Sequence, residues 1–117
     1  MDFKKLNIVT GWLVFLVATY TYVATIEPTA SFWDCGEFLA TANKLQVGHP
    51  PGAPLFMILG RIASAFVSTE NVPVAVNTLS ALSASFSILF LFWSITHMAK
   101  KLATRDSDDE QIGRAHV

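Results

Sequence analysis

Between Glu27 and Glu37 the sequence Glu-Pro-Thr-Ala-Ser-Phe-Trp-Asp-Cys-Gly-Glu sets three carboxylates close together, with Asp34 and Glu37 one helical turn apart. Two acids at that spacing divide labour: one takes a proton as general base, and the other orients the substrate or raises its neighbour's basicity by like-charge repulsion. Gly36 between them lets a substrate approach the backbone. A plain structural reading stands beside this one. Asp34 completes a Ser-x-x-acid capping box with Ser31, and Glu37 pairs with Lys44 or faces water.

The second group is Gly48-His49-Pro50-Pro51-Gly52-Ala53-Pro54. The prolines stiffen the backbone and present His49 at a defined place, where it can bind a phosphate oxygen, carry a proton or orient the acids. The alternative is a rigid connector between helices. Arg61 sits in an apolar stretch, where a cation pairs with an acid or a lipid phosphate, or snorkels to the headgroups. Cys35 has no basic neighbour in sequence and reads as a small buried residue. As the only cysteine it excludes an intrachain disulfide and a multi-cysteine zinc site.

These groups need a scaffold, and the charge pattern supplies it. The 117 residues are 52% hydrophobic and 15% charged, with a net charge of −1, which excludes a disordered chain and a nucleic-acid binder. No Asp, Glu, Lys or Arg falls between Leu6 and Ile26 or between Asn71 and Ala99. About 20 apolar residues cross a bilayer, so spans are expected over 6–26 and 72–98, the first a retained anchor rather than a signal peptide. Trp12, Tyr20, Tyr22 and Trp93 suit the interfacial aromatic belts. Lys4, Lys5, Lys100, Lys101 and Arg105 flank the outer ends of the spans, which puts both chain ends in the cytoplasm and loop 27–71 outside.

Two amphipathic helices are expected in that loop. One runs over about 32–47, ends at Gly48 and Pro50, and carries Asp34, Glu37, Thr41 and Lys44 on one face with Phe38, Leu39, Ala42 and Leu45 on the other. The other covers 53–67 and lies at the membrane surface. The fold class is all-α membrane protein. Asn77 and the serines at 80, 83, 85 and 87 suggest close helix packing. Residues 102–111 read as a charged cytoplasmic loop or tail. Residues 112–117 resemble the translation of a sequencing adapter and are expected to carry no function.

Together, Glu-Pro-Thr-x-Ser-Phe-Trp-Asp-Cys-Gly-Glu-Phe and Gly-His-Pro-Pro-Gly-Ala-Pro-Leu-Phe resemble the N-terminal segment of glycosyltransferase family 117, bacterial multispanning proteins related to protein O-mannosyltransferases. The resemblance covers residues 1–101. It implies a GT-C fold in a bacterial inner membrane and transfer of a sugar, expected to be mannose, from a polyprenyl-phosphate donor to a hydroxyl of a protein acceptor. It assigns Asp34 as general base, Glu37 as supporting acid and His49 to the substrate. Lys44 and Arg61 join the substrate-binding set on chemical grounds, with no cofactor and no metal assigned. A two-span scaffold that binds a partner through its outer helices is the alternative, and a stop codon soon after Arg105 would favour it.

Overall fold

The computed structural model describes residues 2–31, 33–50 and 52–115, the stretch 106–115 as backbone only. The described residues form helices and connecting turns, with no strand: α1 (Phe3–Ala24), α2 (Cys35–Lys44), α3 (Pro54–Ser64), a 3₁₀ turn (Thr69–Asn71) and α4 (Val72–Ala115). The all-α expectation holds. α1 and α4 are long and apolar enough to cross a membrane, and α3 is too short. Trp12, Leu13, Leu16 and Val17 lie exposed on α1, unlike the core helix of a water-soluble domain.

α4 departs from expectation. Its 44 residues continue well past position 98 and carry the charged run 105–110 as helix rather than loop. Pro73 sits in the first turn, where a missing N–H costs nothing, and neither Pro nor Gly follows until Gly113. With no breaker, the run of Lys, Arg, Asp and Glu stays helical. The backbone helix also covers 112–115, while residues 116 and 117 of the adapter-like tail lie outside the described residues.

Contacts divide the chain into two units, residues 1–18 with 85–117, and residues 19–84. The first is held by aromatic rings. Trp93 packs edge-on to Trp12 at 6.1 Å, Phe15 meets Phe86 at 4.7 Å, and Trp93 Nε1 donates to the Asn7 carbonyl at 3.3 Å. Gly11 is buried because the Trp93 indole occupies the space its side chain would need. Lys100 Nζ lies 4.9 Å from the Phe3 ring centre, a cation–π contact.

The second unit contains α2, α3 and the start of α4. Leu39, Val72 and Val76 form its core, with Cys35 and Phe56 packed against it. α2 and α3 meet on small residues: Ala42 is fully buried, and a Cβ on Gly60 would lie 2.8 Å from the Ala42 Cβ. Thr41 is buried as well, its hydroxyl donating to the Glu37 carbonyl at 2.7 Å and lying 3.2 Å from Met57 Sδ. It therefore leaves the solvent face expected for it, because a hydroxyl bonded to its own helix can be buried without an orphaned donor. On α3 Gly60 and Ser64 face inward, whereas Leu55, Ile58 and Ile62 are exposed. Asn77 Nδ2 donates to the Glu27 carbonyl at 2.9 Å, tying the loop after α1 to α4.

α2 is shorter than expected at both ends. No side-chain bond caps its start, so the Ser31–Asp34 capping box does not form. At its end Leu45 takes a left-handed conformation (φ 51°), with Leu45 N–H donating to the Ala42 carbonyl and Gln46 N–H to the Thr41 carbonyl. That paired arrangement is a Schellman closure, made three residues before Gly48.

Candidate active site

Trp33, almost fully exposed, holds a left-handed backbone (φ 66°) immediately before Asp34, which serves as N-cap of α2. A bulky residue there is strained, and such strain clusters at functional sites. One turn on, Glu37 projects toward the segment after α2. The His49 N–H donates to Glu37 Oε1 at 2.8 Å, and His49 Nδ1 lies 2.8 Å from Glu37 Oε2. A carboxylate only accepts, so Nδ1 carries the proton. Gly48 eases this clamp, since a Cβ there would sit 3.3 Å from Glu37 Oε1 and push the carboxylate back by a few tenths of an ångström. The Gly52 N–H donates to the His49 carbonyl at 3.0 Å and Gly52 adopts φ +72°, closing the turn that presents the imidazole.

The other ring nitrogen faces Asp34: His49 Nε2 is 3.8 Å from Asp34 Oδ2, an ion-pair distance longer than a hydrogen bond. The three groups are open to solvent, with side-chain exposures of 61% for Asp34, 39% for Glu37 and 50% for His49. The backbone N–H of His49 chiefly, and then its ring, hold the Glu37 carboxyl below the usual range. The Glu37 hydrogen bond, followed by the charges of Glu37 and Asp34, pushes the His49 imidazole up.

The remaining candidates lie elsewhere. Arg61 Nη1 donates to the Asn43 carbonyl and so satisfies the C-terminal end of α2. Lys44 is exposed in that same last turn and, among the described residues, forms no ion pair; Glu37 pairs with His49 instead. At 1.5 Å per residue that end of α2 is roughly 14 Å from Asp34. The structure thus brings Asp34, Glu37 and His49 together and leaves Lys44 and Arg61 at the opposite end of the helix. The third carboxylate, Glu27, accepts from the Thr29 hydroxyl at 2.7 Å. Cys35 is half-buried at the core edge, as expected of a small packing residue.

Sequence reasoning found every member of the cluster but not the Glu37–His49 clamp, whose partners are 12 positions apart with no helical period between them. The usable signal was the glycine–proline turn around His49. Beside the cluster lies an apolar recess of about 480 Å³, walled by Val47, Met57 and Ile58 and sharing Gly48 and Gly52 with the turn.

The chain is thus an all-α fragment with two helices of membrane length and with Asp34, Glu37 and His49 gathered at the head of α2, the pattern of an all-α membrane protein. The profile of the "Protein O-mannosyl-transferase TMEM260 N-terminal domain" matches residues 34–116, so the chain belongs to that family. It is 33% identical over 94 residues to "Protein O-mannosyl-transferase tmem260" of Dictyostelium discoideum, covering 79% of this chain and 12% of that protein. It is 28% identical over 86 residues to "Protein O-mannosyl-transferase TMEM260" of Mus musculus, covering 74% and 12%. Both relatives are eukaryotic, whereas the motif resemblance pointed to bacteria. The chain therefore spans about 12% of the length of these relatives. No solved structure matches it.

Proposed function

We propose that the chain is the N-terminal part of a GT-C-type membrane glycosyltransferase that moves mannose from a polyprenyl-phosphate donor to a protein hydroxyl, with Asp34 as general base. The names of its relatives support mannosyl transfer. The motif resemblance supports the lipid-phosphate donor, the family-117 branch, an inner-membrane location and a loop 27–71 on the outer face.

The observation that carries the base assignment is the unequal engagement of the two acids. Both Glu37 oxygens are taken by His49, whereas the nearest His49 nitrogen is 3.8 Å from the Asp34 carboxylate, which is the more exposed. A serine or threonine hydroxyl oxygen attacks the sugar's anomeric carbon, the bond from that carbon to the phosphate oxygen breaks, and Asp34 takes the hydroxyl proton. The phosphate already leaves well, so base and positioning are the main requirements. Glu37 acts by holding His49 in place beside Asp34 at the substrate. The apolar recess suits the first isoprene units of the donor.

Mannose transfer from a polyprenyl-phosphate donor by the full-length protein containing this segment is the test. Asp34→Asn keeps the shape and removes the base, and the expected loss is at least about a hundredfold in kcat. Unchanged turnover would remove Asp34 from that role.

A further inference from the structure

We propose that Asp34 and His49 form a divalent-cation site at the head of α2, with Glu37 as the outer carboxylate that aims the histidine. A histidine that binds a metal through one ring nitrogen commonly donates its other N–H to a carboxylate, which fixes the tautomer and the ring plane. That arrangement is present here: Nδ1–H is spent on Glu37 Oε2 at 2.8 Å, and Nε2 is left facing Asp34 Oδ2.

Distance supports the same reading. The Nε2–Oδ2 gap of 3.8 Å is too long for a hydrogen bond, yet near the spacing of two ligands on one ion. With metal–ligand bonds of about 2.1 Å, a tetrahedral pair is separated by roughly 3.4 Å, so a closure of about 0.4 Å suffices. One donor atom from each of Asp34, Glu37 and His49 lies within 4.8 Å of the others. Two carboxylates and a neutral imidazole carry a charge that a divalent cation cancels. An imidazole with a carboxylate suits zinc or manganese better than calcium.

Two protein ligands leave coordination positions open to water or to a phosphate oxygen. Ion binding does not depend on the transferase reading, because it can be measured with the metal alone.

The experiment is titration of tag-free full-length protein in detergent with Zn²⁺, followed by calorimetry. One ion is expected per chain. Asp34→Asn and His49→Ala should each weaken binding at least tenfold, and Glu37→Gln by about ten- to a hundredfold. Lys44→Ala should leave it unchanged. Asp34 makes no capping bond and is exposed, so its replacement leaves the core intact, which an unchanged helical circular dichroism signal verifies. Absence of Zn²⁺ binding by the unmodified protein, or wild-type affinity in both Asp34→Asn and His49→Ala, would overturn the site. Mannose transfer that persists in a chelator alongside such a result would leave the transferase reading standing.

Discussion

The unit formed by residues 1–18 and 85–117 and the unit formed by residues 19–84 solve the packing of helices in opposite ways. In the first, large rings fill the space: Trp12, Phe15, Phe86 and Trp93 touch in series, and Gly11 yields room to an indole. In the second, small residues bring backbones close, with Ala42 against Gly60, and large side chains such as Leu55 and Ile62 are turned outward. A ring can rotate away from an intruding atom, whereas a methyl fixed to a helix backbone cannot. The unit built on close backbones is also the one that holds Asp34, Glu37 and His49 together.

The comparison breaks most visibly at the glycines. Gly60→Ala drives a methyl into the Ala42 methyl and should destabilise the second unit by about 1–3 kcal/mol, read as a lower thermal midpoint of the detergent-solubilised protein. Gly11→Ala should cost less. Trp93 can swing aside at the expense of its bond to Asn7, about 1 kcal/mol, and the higher helix propensity of alanine offsets part of that. A larger loss for Gly11→Ala would reverse the contrast. Leu45→Gly is expected to raise stability by about 1 kcal/mol, since glycine occupies the left-handed closure of α2 without strain.

The smallest effect is the pH response of the Glu37–His49 clamp, followed by nuclear magnetic resonance of His49 in chelator. The His49 value is raised above 6.5, so its contribution is complete below that pH and fades as pH rises through the folded value. The Glu37 value is lowered below 4.5, so its contribution is complete above that pH and fades as pH falls through the folded value. The clamp should be tightest between pH 4.5 and 6.5. Glu37→Gln should move the His49 titration downward, and an unmoved titration would show that the clamp is absent in solution.

Much of this was legible in the residues. Two uncharged runs marked α1 and α4, because a bilayer-length apolar stretch has few other uses, and Pro54 with its apolar followers marked α3. The chemistry-bearing residues Asp34, Glu37 and His49 stood out by type and by their glycine and proline neighbours. The ends of elements were less legible. Leu45 closes α2 through backbone bonds that no side chain announces, and the charged run after Arg105 stays helical because nothing interrupts it.

Composition and spacing alone determined that the chain is helical, that two of its helices are of membrane length, and that its acids gather before a stiff histidine turn. Only the tertiary structure decided which charges meet. Helical period puts residues seven apart on one face and so suggested Glu37 with Lys44, whereas the turn at Gly48–Gly52 brings His49 back across 12 positions to take both oxygens of Glu37. The same folding spends Arg61 on the far end of α2. Which groups share a site depends on how the chain reverses, and that reversal is made by the Gly48–Gly52 turn together with the packing of α2 on α3.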